Sequence, residues 1–209
     1  MNCNMTSPIV AVLLAGGSAR RMGGGDKCLR EVAGRPLLSR VIERILPQVD
    51  HVVLNANGDP ERFSEFGLPV IADVVEGNAG PLAGILTGLD WAARHVTECE
   101  WVVSVPTDAP FLPMDYVARM MAAIEDEDAE LACASTNGRT HPVAGLWALR
   151  LMLELRSALI DEDIRKIDQW TVRYRLADVE FSSEPIDPFF NANRPEDLKA
   201  AEVILAHQR

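Results

Sequence analysis

The sequence is short of the groups that staple or anchor a chain. Its 209 residues hold four cysteines, at positions 3, 28, 99 and 133, and no two of them form a Cys-x-x-Cys pair. That spacing argues against a disulfide framework or a zinc site and suits a reducing compartment, so a cytoplasmic location is expected. Cys28 reads as a buried bystander thiol. His51, His95 and His207 fall at no metal-ligand spacing and read as surface or packing residues. The apolar run at residues 9–15 is too short to span a bilayer and follows no basic residues, so it reads as a strand and not as a signal peptide or membrane anchor. Basic residues are outnumbered, 20 Lys and Arg against 31 Asp and Glu, for a formal net charge of −11. Neither nucleic acid nor an anionic membrane is expected as a partner. Repeats, low-complexity segments and long linkers are missing. A single domain over residues 1–209 is the simplest reading, with roughly 70% of the unfolded surface buried on folding. Hydrophobic content of 48% and a mean hydropathy of +0.03 are ordinary for a globular protein.

What the chain does have is concentrated near its start. Ile9-Val-Ala-Val-Leu-Leu14 is an apolar, partly β-branched run that opens into Ala15-Gly-Gly-Ser-Ala-Arg-Arg-Met-Gly-Gly-Gly-Asp-Lys27. A short apolar run ending in glycines predicts a buried strand followed by a loop. Glycine lets a ligand approach the backbone N–H groups, and Arg20, Arg21 and Lys27 add positive charge. Such a loop suits a chain of phosphates. Residues 18–36 carry five basic side chains (Arg20, Arg21, Lys27, Arg30, Arg35) against Asp26 and Glu31, a local +3 that leaves −14 for the remainder. A basic loop on an acidic protein fits a small phosphorylated ligand better than a polymer. It is not a Walker loop, because Lys27 lies between Asp26 and Cys28. Nor is it the dinucleotide fingerprint, because Gly16 is followed by Gly17 and Ser18.

Short apolar runs then alternate with helical periodicity. Strands are predicted at 9–15, 51–55, 69–72, 101–105 and 131–135. Helices are predicted at 37–46, 82–95, 113–125 and 195–206. Leu82, Ile85, Leu86, Leu89 and Ala93 form a core-facing stripe, with Pro81 suited to a first turn. Residues 137–188 read less cleanly, mixing Gly138-Arg-Thr-His-Pro142, a helical stretch near 149–159 and a segment at 172–176. The acidic run from Glu125 to Glu130 reads as a solvated helix end and loop. Strand–helix alternation predicts a three-layer α/β/α, Rossmann-like fold with a mostly parallel sheet. In such sheets ligands sit beyond the carboxyl ends of the strands. Asn55 ends a predicted strand, Asp73 and Asp108 each follow one, and each would otherwise serve as a turn residue.

The pieces Leu14-Ala-Gly-Gly17, Arg20-Arg-Met-Gly-Gly24 and Asp26-Lys27 resemble the signature of the sugar-phosphate-type nucleotidyltransferases. Within that superfamily they are most similar to the molybdenum cofactor guanylyltransferases. Pro106-Thr-Asp-Ala-Pro110 resembles the family's Pro-x-Asp-x-Pro turn, with Thr107 where bacterial members often have Cys. The likeness is tight at 14–27, 52–57, 80–84, 106–110 and 191–198, and loose between 143 and 188.

The resemblance implies transfer of GMP from GTP to the terminal phosphate of the molybdopterin cofactor, with pyrophosphate leaving. It implies Mg2+ as cofactor, GTP and molybdopterin as substrates, and transient contact with molybdoenzymes or their chaperones. The N-terminal part would take GTP and metal, and the C-terminal part the pterin. Lys27, Arg21 and Asp108 would be catalytic, with Arg20 a weaker alternative to Arg21. Leu14, Ala15, Gly16, Gly17, Lys27, Asn55, Asp73 and Asp108 would bind GTP, and Asp108 would hold the metal. Gly80, Pro81 and Leu82 match a segment near the nucleotide, His141 a motif near the acceptor, and Asn191 and Asn193 a motif near the metal or the acceptor phosphate. Each of these also has a structural reading. Three rivals stand beside this one. Cytidylyl relatives use CTP and resemble Leu-Ala-Ala-Gly, where this chain has Gly16. Sugar-1-phosphate nucleotidyltransferases are usually longer. The last is a nucleotide-binding molybdoenzyme chaperone without catalysis.

Overall fold

The computed structural model describes residues 7–16, 25–76, 80–192 and 194–207. The first apolar run forms β1 (Ile9–Leu14). Then come a small hairpin of β2 (Glu31–Val32) and β3 (Arg35–Pro36), helix α1 (Leu37–Ile45), β4 (His51–Asn55) and β5 (Val70–Ile71). Helix α2 (Pro81–His95), β6 (Trp101–Pro106), α3 (Tyr116–Glu127), β7 (Leu131–Thr136) and β8 (Arg139–Ala148) follow. The chain ends with α4 (Met152–Ile160), α5 (Ile167–Thr171), β9 (Leu176–Glu180) and α6 (Pro195–His207).

The side chains of β1 divide by parity. Ala11 and Leu13 enter one core, and Val10, Val12 and Leu14 enter another. Period-two division with both faces buried is what a central strand between two helical layers requires. Residues from α1 and α3, among them Leu38, Val41, Met120 and Ile124, cover the first face. Residues from α2, α4 and α5, among them Leu86, Leu155 and Trp170, cover the second. A smaller third cluster joins Val32 of the hairpin to Phe111, Ala192 and Ala201 of α6. The three-layer α/β/α architecture is therefore as expected.

The sheet has seven strands in the order β5-β4-β1-β6-β8-β7-β9. All neighbouring pairs are parallel except those made by β8, which runs against both β6 and β7. The register aligns the carboxyl ends. Leu14 lies opposite Asn55 on one side and Pro106 on the other, and Asn55 lies opposite Ile71. From β1 the sheet continues through β4 on one side and β6 on the other, which makes its carboxyl end a topological switch point where a crevice opens.

The structure departs from the sequence reading mainly after residue 136. Strand β8 escapes prediction because Pro142 and Gly145 interrupt its pattern. Its pairing with β7 shifts between Cys133 and Ala134, so Pro142 sits where the ladder is irregular and needs no N–H. The segment 172–176 is a turn following α5, and the last strand begins only at Leu176. Its alternation of exposed and buried residues is that of an edge strand. The helix expected from Pro113 begins at Tyr116, because Pro113 first accepts a turn bond from the Tyr116 N–H, at 3.3 Å.

Helix α2 lies unusually close to β1, and glycine is the reason. A Cβ on Gly88 would stand 2.6 Å from Cβ of Val12, which is fixed to the backbone and cannot yield. Gly88→Ala should therefore destabilise the fold despite alanine's better helix propensity. Overpacking of this kind costs about 1–3 kcal/mol, a fall of at least about 2 °C in melting temperature at this chain length. Calorimetry showing an unchanged or raised melting temperature would refute the close approach.

Candidate active site

A cleft of about 800 Å³ lies over the row of strand ends, within the roughly 300–1,000 Å³ range of small-molecule sites. Leu14, Ala15 and Gly16 line it as β1 runs out, and Asn55 and Asp73 line it beside them. The Ala15 N–H donates to the carbonyl of Asn55 at 3.0 Å, extending the ladder one step into the site. Gly80 and Pro81 contribute the start of α2. Lys27 and Asp108 face each other across the crevice between β1 and β6 and form a direct ion pair. On the far wall are His141 and Asn191.

Not every sequence candidate lies here. The Leu82 side chain is fully buried in the core against the sheet and does not line the cleft, a correction to the expectation. At the second position of a helix, a leucine next to Pro81 points inward with the apolar stripe. Gly17, Arg20, Arg21 and Asn193 lie outside the described residues.

The wall beside β4 is a closed hydrogen-bond network. Asn55 Nδ2 donates to one oxygen of Asp73 at 2.9 Å and Asn57 Nδ2 to the other at 2.8 Å. The Asp73 N–H returns to Asn57 Oδ1 at 2.9 Å. This holds Asp73 and Asn55 as one rigid unit. The tight fit continues to α2, where a Cβ on Gly84 would fall 2.5 Å from Asn55 Oδ1 and 2.6 Å from a methyl of Leu14. Gly84 thus lets the helix seat against both residues.

Two functional candidates were missed from the sequence. Asn57 lies two residues past the end of β4, and its role needs the loop geometry. Arg62 sits on a short 3-10 helix, Pro60–Phe66. It pairs with Asp26 through Nε at 2.6 Å and donates through its other nitrogens to the carbonyls of Asn57 and Asp59. The sequence signal for that helix is Asp59-Pro60, a capping residue before a first-turn proline.

Among the described residues, the carboxylates lining the cleft are Asp26, Asp73 and Asp108. Asp26 is engaged by Arg62, and Asp73 by the two asparagines. Asp108 sits opposite Lys27, and its carbonyl accepts the Ala192 N–H at 3.2 Å, which ties it to the segment before α6. Thr107 donates its hydroxyl to the Leu14 carbonyl at 3.1 Å, lacing the ends of β1 and β6 together. Among the described residues no cluster of three or more His, Cys, Asp or Glu gathers. One carboxylate facing a space for phosphates does fit magnesium, which takes one or two protein carboxylates together with substrate phosphates and water.

Cys28 is the middle residue of the turn Lys27–Leu29 and is 1% exposed. Burial, helped by the Asp26 charge, pushes its thiol up to about 12, so it is no nucleophile. His51 and His95 flank Trp91 far from the chemistry, with His95 stacked on the indole at 4.8 Å between ring centres.

The profile of the MobA-like NTP transferase domain matches residues 11–177. The chain belongs to that family. A relative named molybdenum cofactor guanylyltransferase, from Rhodopseudomonas palustris strain BisB5, is 59% identical over 93% of this chain and 92% of its own. Another of the same name, from Bradyrhizobium strain ORS 278, is 55% identical over 99% and 97%. Among solved structures, molybdopterin-guanine dinucleotide biosynthesis protein A from Archaeoglobus fulgidus superimposes with a TM-score of 0.73 at 24% identity, covering 95% of this chain and 99% of its own. A Mycobacterium tuberculosis protein solved in complex with manganese gives 0.66 at 16% identity, covering 94% and 98%. The transferase is thus an enzyme built on the nucleotidyltransferase fold, and no helix among its described residues is long and apolar enough to cross a membrane.

On the far wall of the transferase, His141 stacks on Phe189 with 4.7 Å between ring centres, and its Nε2 hydrogen-bonds Thr136 Oγ1 at 2.7 Å. Burial lowers its pKa below the usual value of 6.5, and the Arg139 charge lowers it further, while Asp187 and Glu180 oppose. The folded state then binds fewer protons than the unfolded chain below about pH 6.5. The stability given by neutral His141 is present above that pH and is lost as pH falls through the depressed folded value. His141→Gln should flatten the fall in melting temperature between pH 6.5 and 5. A slope as steep as that of the parent would show that His141 does not cause it.

Proposed function

We propose that the enzyme transfers GMP from GTP to the terminal phosphate of the molybdopterin cofactor, giving the guanine dinucleotide form and pyrophosphate. The observation that carries this reading is the facing pair Lys27 and Asp108 at the switch point, beside a rigid polar wall, with Lys27 closing the glycine-rich segment of the sequence. A cation and a carboxylate across such a crevice are what nucleotidyl transfer needs. The acceptor phosphate oxygen attacks the α-phosphorus, the bond to the α–β bridging oxygen breaks, and pyrophosphate leaves with the electron pair. A phosphate monoester is largely dianionic at neutral pH, so its attacking oxygen needs no general base. Catalysis is then positioning and charge stabilisation.

In this reading Leu14, Ala15, Gly16, Gly17, Asn55 and Asp73 hold the nucleoside, with Gly80 and Pro81 closing its side. Lys27 neutralises charge on the phosphates, and Arg21 on the leaving pyrophosphate. Asp108 would hold Mg2+, which when bound adds positive charge at the triphosphate. His141 would serve the acceptor, and Asn191 and Asn193 the metal or the acceptor phosphate. Guanine is favoured by Gly16, where the cytidylyl relatives carry alanine, and by the names of the relatives at 55% and 59% identity. Transient contact with molybdoenzymes or their chaperones follows from the same assignment, as does a cytoplasmic location.

Incubation with Mg2+, molybdopterin cofactor and each NTP in turn tests the reading. Dinucleotide should form with GTP. Preference for CTP would overturn the guanylyl assignment, and no turnover with any NTP would favour a binding protein. Lys27→Ala should cost at least about tenfold in rate, since a charge-assisted hydrogen bond contributes roughly 1.5–3 kcal/mol and a factor of ten corresponds to about 1.4. Asp108→Asn should shift the magnesium titration to higher concentration. Unchanged turnover in the first variant, or an unaltered titration in the second, would remove that residue from its role.

A further inference from the structure

Arg62 spends all three of its guanidinium nitrogens on one connection. Nε reaches Asp26 at 2.6 Å, one Nη reaches the Asn57 carbonyl at 2.6 Å, and the other reaches the Asp59 carbonyl. Its guanidinium also lies over the Phe63 ring, 4.5 Å from the centroid. Few side chains other than arginine could do this, because the fork is planar and its donors are fixed in direction. Gly58 sits at φ +87° under the fork, and a Cβ there would come within 3.3 Å of it.

The partner is just as telling. Asp26 occupies the N-cap of the 3-10 turn Lys27–Leu29, in the extended conformation that a capping residue adopts. An aspartate there ordinarily accepts a bond from the turn's own N–H groups. Here it makes no such bond, and its carboxylate goes to Arg62. The chain thus gives up a local cap for a contact with the loop after β4. That loop continues through Asn57 to Asp73 and Asn55. Asp26, Arg62, Asn57 and Asp73 form an unbroken polar rail along one wall of the cleft, and Lys27 follows Asp26 directly.

We propose that Arg62 is a positioning residue for Lys27, anchoring the Asp26–Lys27 pair of residues to the nucleoside wall. Among the described residues Lys27 is restrained by its own ion pair with Asp108 and by the Asp26–Arg62 link. Phosphates entering the cleft compete with Asp108 for the Lys27 ammonium. Once that pair opens, the Arg62 link holds the lysine at a fixed distance from Asn55 and Asp73. Arg62 touches neither phosphate nor base in this scheme. It sets the spacing between the group that meets the phosphates and the groups that meet the nucleoside. This rests on the nucleotide-transfer reading above.

A double-mutant cycle separates positioning from bulk stability. Arg62→Ala should lower kcat at least about tenfold and weaken binding of a fluorescent GTP analogue in the parent background. In the Lys27→Ala background the same change should add less than about twofold to either loss. Asp26→Asn, nearly isosteric, should reproduce the Arg62→Ala loss and be non-additive with it, and it serves if Arg62→Ala fails to fold. Guanidinium in the buffer should restore part of the activity of Arg62→Ala, and Arg62→Lys should not restore it. Independent, additive losses in the Lys27→Ala background would overturn the proposal, as would full activity in Asp26→Asn. The nucleotide-transfer reading fails differently, by absence of turnover in the parent enzyme.

Discussion

The register of three parallel strands is the constraint on which the site depends. Because Leu14 is level with both Asn55 and Pro106, the chain leaves β1, β4 and β6 at the same height. A slip of one residue on any strand would turn its side chains to the opposite face and exchange the two cores. The apolar parity of β1 forbids this, since Ala11 and Leu13 fit beneath α1 and α3 while Val12 fits beneath Gly88 of α2. Hydrophobic packing thereby fixes the level at which Gly16, Asn55 and Asp108 emerge. The polar chemistry inherits its geometry from the cores and adds little strength of its own, as partly exposed ion pairs contribute modestly.

On that platform the polar groups are coupled rather than scattered. One side of the cleft is the asparagine–aspartate unit, braced by Arg62 and tied to Asp26. The other is Asp108, tied through Ala192 to the segment before α6. Lys27 lies between them. The last helix rests on the β2–β3 hairpin that follows the Lys27 turn, and the Ala33 N–H donates to Glu202 at 3.1 Å. The far end of the chain therefore buttresses both the turn bearing Lys27 and the turn bearing Asp108.

Much of this was legible in the sequence. The apolar runs for β1, β4, β6 and β7 and the periodicity of α2 gave the layered fold, because hydrophobic spacing reports directly on burial. Looking at and just past the ends of the parallel strands found Asn55, Asp73 and Asp108. The same rule fails for β8, because an antiparallel strand brings its amino end to the cleft. His141 and Thr140 stand at the start of that strand, and family resemblance, not position, picked out His141. Arg62 and Asn57 were invisible for another reason. Their roles are set by contacts across 36 and 16 residues of chain, and no local pattern encodes such pairings. Leu82 shows the converse error. A segment can match a motif through its backbone and its glycines while one of its side chains serves only the core.

Cys28 has a consequence for how the enzyme meets its chemical surroundings. A cysteine beside a cleft-lining lysine would ordinarily invite alkylation and peroxide damage, since both begin from the thiolate. Here the sulfur lies out of solvent, with its proton held to about pH 12. Cys99 and Cys133 are buried as well, with their thiols likewise raised by burial. Electrophiles and oxidants therefore find a buried, protonated sulfur at the Lys27–Leu29 turn. Packing, with the Asp26 charge beside it, thus shields the one thiol adjacent to Lys27 from alkylation and oxidation.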